Sequence, residues 1–308
     1  MISTRDMRVD YDDFTAVRDL TLEIPQGRVF GLIGPNGAGK TSTIRVLATL
    51  QQPTYGEVRV GGFDVADQPE AVHRVLGFMP DLAPVHDDLK VWEFLDLFAA
   101  SHDLDRRERK RRVAECLEMV ELEGKRDVMA GTLSRGMMQR CVLAKTLLHD
   151  PHVLLLDEPA SGVDPIARIE FRRIIRRLAE RGRTVLVSSH ILTELADMCD
   201  MLGIMKQGEM VVSGDIEDII TRMQPKRMIE VDCPKDAASA APMLAERPGV
   251  LSARVEGKTV CLEFDGDDDT LGGLLTFLVG SGVVVTRFVE KRLGVEEIML
   301  KVGAKEAT

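Results

Sequence analysis

The chain has 308 residues, 44% hydrophobic and 29% charged, with 40 Lys plus Arg against 50 Asp plus Glu and a formal net charge of −10. That composition excludes a disordered chain, and at about 150 residues per domain it leaves room for two cores. The acidic balance argues against sequence-independent nucleic-acid binding, and no stretch reaches the about 18 apolar residues of a membrane span.

The amino terminus, MISTRDMRVDYDD, carries acids early and lacks the apolar core of a secretion signal. The chain is therefore expected to stay in the cytoplasm, peripheral on the cytoplasmic face of a membrane only where a partner holds it. From Val29 to Ile33 a short apolar run ends at Gly34, and a helical pattern follows from Gly39 to Leu50. Glu57 to Val60 alternates into Gly61-Gly62, a hairpin signal. Residues 87–150 hold no good strand and read as a helical insertion: Val91 to Ala100, Arg107 to Leu122 and Gly136 to Leu148. Val153 to Leu156 and Thr184 to Ser188 are further apolar runs. Short apolar runs separated by helices predict buried parallel strands with crossovers.

A second unit is expected from 224 to 308, after a nucleotide-binding domain over 1–223. Met228 to Cys233, Val250 to Val255, Thr259 to Phe264 and Val283 to Val289 read as strands, with helices at Ala237 to Glu246 and Leu271 to Val279. The order βαββαβ predicts a small α+β, ferredoxin-like layout. Five cysteines, Cys116, Cys141, Cys199, Cys233 and Cys261, are odd in number and never spaced CxxC, so buried free thiols are expected rather than a disulfide framework or a zinc site.

Gly34-Pro35-Asn36-Gly37-Ala38-Gly39-Lys40-Thr41 fits G-x-x-x-x-G-K-[ST] in full, after an apolar strand and before a helix. Glycines there let the backbone curl its N–H groups toward phosphate oxygens, and the helix presents its positive end to the same anion. Lys40 would contact the β- and γ-phosphates of a nucleotide, and the Thr41 hydroxyl would ligate Mg²⁺. A P-loop needs an acidic partner on a second strand, and Val153-Leu154-Leu155-Leu156-Asp157-Glu158 supplies it. Asp157 would hold Mg²⁺, and Glu158 would polarise an attacking water.

With these motifs the chain resembles the ATP-binding cassette (ABC) family, the nucleotide-binding subunits of ABC transporters, over about residues 5–222. Leu133-Ser134-Arg135-Gly136-Met137 resembles the family's signature motif in a variant seen in exporter ATPases. Ser188-Ser189-His190 looks like its switch histidine, Ser161-Gly162-Val163-Asp164 like its D-loop, and Tyr11 sits where the family places an adenine-stacking aromatic. The resemblance implies a P-loop NTPase cassette, a mixed-sheet α/β core with a helical subdomain. It implies ATP and Mg²⁺ as ligands, with no covalent cofactor. It implies catalysis by Glu158, His190 and Lys40, and nucleotide contacts from Tyr11, the loop from Gly34 to Thr41, Ser42, Ser134, Gly136 and Asp164. It also implies a second cassette, as a homodimer, and a separate polytopic membrane permease. Export through that permease is the reading; a soluble ABC ATPase acting on ribosomes or nucleic acid is the alternative. The family's usual Gln is here Asp81, which as an ionised carboxylate accepts but cannot donate and could join Thr41 and Asp157 around Mg²⁺.

Weaker signals stay local. Arg106 to Arg112 reads as a solvated helix face with internal ion pairs, or as a contact for acidic lipid headgroups. The run Asp265 to Asp269 reads as a turn plus an acidic helix start rather than a calcium loop. Trp92, Phe94, Leu95, Leu97 and Phe98 give the helical insertion an apolar face.

Overall fold

A computed structural model of the chain describes residues 1–81, 84–191, 195, 198–223 and 226–291. The chain divides into two compact units, Met1–Ile216 and Glu217–Thr308, a division earlier than the expected 223/224 boundary.

The first unit holds two sheets. One is antiparallel, in the order β2-β1-β4-β5, from β1 (Ile2–Tyr11), β2 (Phe14–Ile24), β4 (Tyr55–Val60) and β5 (Phe63–Asp64). It departs from the strand–helix alternation expected of this region. β1 and β2 are joined by the two-residue turn Asp12-Asp13, so they pair as a hairpin. The Gly61-Gly62 hairpin forms where its alternation predicts, with Val60 opposite Phe63. The other sheet runs β10-β9-β3-β8-β7-β6, from β3 (Val29–Ile33), β6 (Leu76–Met79), β7 (Val153–Leu156), β8 (Thr184–Ser189), β9 (Met201–Lys206) and β10 (Glu209–Asp215). Its strands are parallel except β10, which is antiparallel to β9. Every residue of β3, β7 and β8 is buried, which is why those strands read as unbroken apolar runs.

Helix α1 (Lys40–Leu47) turns Ile44 and Leu47 into the core that Met7, Val17 and Leu20 line from the antiparallel sheet. Each such side chain contributes about 1.5–3 kcal/mol by burial. α2 (Pro69–Val75) leads into β6. The helical insertion follows as α3 (Val91–Ser101), α4 (Arg106–Met119) and α5 (Arg135–Thr146), which pack on one another. Phe94 and Leu95 are buried there, Trp92 and Phe98 half-buried, and Leu97 exposed. Three cations of the basic run on α4 are paired within the chain. Arg109 meets Asp96 at 3.0 Å, Arg111 meets Glu115 at 2.8 Å, and buried Arg112 donates to the carbonyls of Leu147 and Leu148 at 2.7 and 2.9 Å. α6 (Pro165–Glu180) follows β7, and α7 (Ile216–Met223) begins at the unit boundary. Among the described residues no helix is long and apolar enough to cross a membrane.

The second unit is β11 (Arg227–Asp232), α8 (Ala237–Ala245), β12 (Val250–Glu256), β13 (Thr259–Phe264), α9 (Asp268–Gly280) and β14 (Arg287–Lys291). Its sheet runs β12-β13-β11-β14 with every neighbouring pair antiparallel. Ile229, Val231, Val260, Leu262 and Phe264 alternate inward onto Leu244, Leu274 and Leu278, a core of its own. Asp267 caps α9 by accepting from the Thr270 N–H at 2.8 Å, so the acidic run is a helix start. All five cysteines are free thiols, four of them buried.

Candidate active site

Strand order does most of the assembly. β3, β8, β7 and β6 are parallel neighbours, with Ile33 beside Ser189, Val187 beside Leu156 and Leu156 beside Met79. The segments leaving their carboxyl ends therefore share one edge of the sheet, where α/β folds bind ligands. Those segments carry the phosphate loop, His190, the Asp157-Glu158 pair and Asp81.

The loop after β3 curls as its glycines predict. Gly39 precedes α1 at φ 102°, and a Cβ there would stand 2.5 Å from the Ala16 carbonyl oxygen. A Cβ at Gly34 would stand 2.4 Å from the Met205 carbonyl oxygen. Lys40 is buried, its Nζ donating to the Gly34 and Pro35 carbonyls at 2.7 and 3.3 Å and lying 3.3 Å from Glu158 Oε1. A buried ammonium so held is a point charge fixed beside the loop.

Asp157 is buried at the end of β7. Ser188 Oγ donates to its Oδ1 at 2.6 Å, while the Glu158 N–H donates to Ser188 Oγ at 2.9 Å. Glu158 Oε2 faces His190 Nδ1 at 2.8 Å, so Nδ1 carries the proton of that contact. Oε1 is buried and accepts no hydrogen bond. Glu158 sits at φ 47°, a left-handed conformation that costs a non-glycine residue about 1–3 kcal/mol and clusters at functional sites. The Asp81 carboxyl is held above the usual range by partial burial, then by the charges of Asp157 and Glu158; Arg135 and His190 oppose that push.

One cleft is lined by Tyr11, Asn36, Gly37, Ala38, Gly39, Lys40, Thr41, Ser42, Asp81 and Glu158, together with Phe14 and Ala16. Tyr11 donates its hydroxyl proton to Gln51 Oε1 at 2.5 Å and lies 3.3 Å from Ser42 Oγ, whose own proton can complete that contact, which ties its ring beside α1.

The family profile described as "ABC transporter" matches residues 17–161. The chain is 31% identical over 296 residues to the Nod factor export ATP-binding protein I of Burkholderia thailandensis, covering 96% of this chain and 94% of that one. The chain belongs to the ABC transporter ATP-binding family. It is also 37% identical over 250 residues to the probable multidrug ABC transporter ATP-binding protein YbhF of Escherichia coli, covering 81% of this chain and 43% of YbhF. The chain spans about half the length of the first curated relatives it matches. A solved ATP-binding subunit of an ABC transporter superposes with a TM-score of 0.65 at 28% identity, over 72% of this chain and 93% of that one.

Of the residues expected at the nucleotide, Gly34, Pro35, Ser134, Gly136 and Asp164 do not line the cassette's cleft, and neither do Asp157 and His190 of the expected metal and catalytic set. Ser134 is exposed and caps α5, its Oγ accepting from the Met137 N–H at 3.3 Å. Gly136 is buried, and a Cβ there would stand 2.4 Å from Ala167 Cβ, so this glycine lets α5 touch α6. Asp164 caps α6, accepting from the N–H groups of Ile166 and Ala167 at 3.1 and 3.0 Å.

Sequence reasoning missed two participants. Phe14 lies opposite Tyr11 across the hairpin turn and is 61% exposed in the cleft; the alternation around Asp12-Asp13 was the available signal. Ser188 joins Asp157 to Glu158, a role that its place in Ser188-Ser189-His190 does not signal.

Magnesium fits this donor set. Asp157 has a second oxygen free of Ser188, Thr41 brings a hydroxyl, and the crowding of Asp81, Asp157 and Glu158 favours a cation. Hard oxygen donors of this kind suit Mg²⁺. Among the described residues no three acidic, histidine or cysteine side chains cage a metal unaided.

Proposed function

We propose that this chain is the ATP-hydrolysing subunit of an ABC exporter and that two cassettes close head-to-tail over two ATP molecules, driving a separate membrane permease. The observation that carries the reading is the convergence of Lys40, Asp157, Glu158 and His190 on one sheet edge beside a P-loop. Tyr11 and Phe14 stack the adenine, and the loop from Gly34 to Thr41, with Ser42, takes the phosphates. Thr41 and Asp157, with Asp81 beside them, hold Mg²⁺, which when bound draws charge from the β- and γ-phosphate oxygens. Glu158 orients and deprotonates the attacking water. His190, hydrogen-bonded to Glu158, keeps that carboxylate aimed and reaches the γ-phosphate.

Electrostatics supports a second phosphate contact at α5. α1 and α5 begin with no carboxylate at the cap or in the first turn, whereas every other described α-helix carries one. A helix N-terminus left positive favours an anion. Since Ser134 and Gly136 stand outside their own chain's cleft, a second cassette is the source of the phosphate they meet, with Asp164 at the joint. Export is supported by the relatives named for Nod factor export and multidrug transport. The strand order of the second unit supports a ferredoxin-like accessory domain after the cassette.

The test is co-purification of the tagged chain from native membranes in mild detergent with ATP and vanadate. A stoichiometric polytopic membrane protein is expected. Ribosomal or nucleic-acid partners with nothing from the membrane would overturn the exporter reading.

A further inference from the structure

Two cations of α4 without a partner inside the chain line one cavity. Arg106 and Lys110 stand four residues apart on that helix, where like charges repel. Both are exposed, and among the described residues neither side chain makes a hydrogen bond or ion pair. The cavity they line measures about 840 Å³, within the range of small-molecule sites. Trp92 of α3 forms one wall, and Arg109 and Arg126 complete the cationic lining. Asp96 is the one carboxylate among the lining residues, and Arg109 already holds it at 3.0 Å. Four cations against one carboxylate leave a local charge of +3 on a chain whose net charge is −10.

Backbone hydrogen bonds hold this cavity in shape. The Val91 and Trp92 N–H groups donate to the Val128 and Arg126 carbonyls at 2.9 and 3.0 Å, which stitches the segment 126–129 to the start of α3. Arg126 is thereby kept over the Trp92 ring, its Cζ 5.6 Å from the centroid. Its ion pair with Asp127, at 3.5 Å, has both side chains in solvent, a weak contact that a phosphate can replace. Leu97 and Met129, on the same two segments, are 52% and 38% exposed. The cavity shares no residue with the nucleotide cleft.

We propose that this cavity takes the phosphate of an anionic lipid headgroup and so seats the helical insertion on a membrane surface. Each part of the cavity matches a part of such a surface. The Arg106 and Arg126 guanidinium forks and the Lys110 ammonium suit phosphate oxygens. An indole ring settles at a membrane–water boundary, with its body in an apolar layer and its N–H in a wet one. Exposed Leu97 and Met129 suit a lipid layer, whereas a free phosphate in water would leave them uncovered. The rest of this acidic chain is repelled by an anionic membrane, so attraction confined to one patch also sets the orientation of contact. The inference goes beyond the exporter reading and requires no permease.

The experiment is flotation of the purified full chain with vesicles, read together with Trp92 emission. Trp92 is the chain's single tryptophan, so that emission reports this cavity. Phosphatidylcholine vesicles, vesicles that also contain phosphatidylglycerol, and soluble glycerol phosphate are compared. The chains are the parent, Arg106→Gln/Lys110→Gln and a charge-matched control, Arg107→Gln/Arg173→Gln, which removes two exposed cations that do not line the cavity. The parent is expected to float only with phosphatidylglycerol, with blue-shifted emission and binding that falls as salt rises. Arg106→Gln/Lys110→Gln weakens that binding about thirtyfold, the loss of two cations at an anionic surface, while the control stays close to the parent. Equal losses in the two variants, or flotation without an emission shift, would assign the binding to overall charge and overturn the proposal. So would a parent that does not float. An emission shift with glycerol phosphate as large as that with vesicles would make a free phosphate ester the ligand and overturn the lipid assignment. The substituted side chains are exposed, so melting temperatures are expected to match. If the cavity variant melts lower, the parent's own emission with vesicles and with glycerol phosphate still decides the question. None of these outcomes bears on the exporter reading, which the recovery of a membrane partner tests separately.

Discussion

Glu158 is held from three sides: its N–H by Ser188, Oε2 by His190, and Oε1 by the charge of Lys40. Ser188 is the hinge of that arrangement, because the same hydroxyl donates to Asp157. Ser188→Ala leaves a buried carboxylate oxygen without its donor and a backbone N–H without its acceptor. Losing such partners costs about 1–3 kcal/mol. The expected outcome is a lowered denaturation midpoint and a reduced kcat for ATP, with nucleotide affinity held by the untouched phosphate loop. An unchanged kcat, measured by phosphate release, would remove Ser188 from the positioning role.

At the scale of elements, two contacts decide how the helical insertion joins the sheet. The first is the approach of α5 to α6 at Gly136. Gly136→Ala forces the helices apart and destabilises by about 1–3 kcal/mol, as overpacking does, and Ala167→Gly in the same chain recovers part of it. Urea denaturation of the two variants checks this; a single variant as stable as the parent would show that the helices can slide. The second contact is a stacked pair of imidazoles, His102 after α3 and His149 after α5, with ring centroids 4.3 Å apart. His149 bonds the Leu76 carbonyl at 2.9 Å, at the start of the strand that leads to Asp81. Burial lowers both imidazoles, and for His149 the nearby His102 and Arg112 lower it further against the Leu76 bond and Asp150; Asp103 opposes the shift of His102. The folded chain thus binds these protons less readily than the unfolded one. Stability from this pair is complete above the ordinary imidazole pKa of about 6.5 and declines as pH falls below it toward the folded values. Denaturation midpoints at pH 7.5 and 5.5 are expected to differ more for the parent than for His149→Gln, whose amide still donates to Leu76. Equal pH dependence would refute the coupling.

For the whole molecule, the separate cores of the two units predict separable folding. A chain ending at residue 223 is expected to melt cooperatively and to bind ATP, since every residue lining the cleft lies in the first unit. Calorimetry and a fluorescent ATP analogue test this; a truncated chain that binds no nucleotide would show that the second unit completes the site. Its effect on dimerisation, compared with the full chain, measures whether the accessory unit stabilises closure.

The P-loop, the Asp157-Glu158 strand end and the helices of the insertion were legible in the sequence because each is a local device. An apolar run, a glycine pattern and a helix start are set by residues within a few positions of one another, and backbone sterics and burial need no distant partner to impose them. The βαββαβ order of the second unit was legible for the same reason. The pairing of β1 with β2, the order β3-β8-β7-β6 and the touch of α5 on α6 were not, because they depend on which surfaces meet after the chain has collapsed. That order alone brings His190 and Asp81 to Glu158, and that touch alone explains Gly136 as packing. The sequence by itself determined that this protein carries a phosphate-loop pattern and belongs with the ABC cassettes; the tertiary structure decided which charges face one another at the sheet edge, because Coulomb interactions follow distance in space and not along the chain.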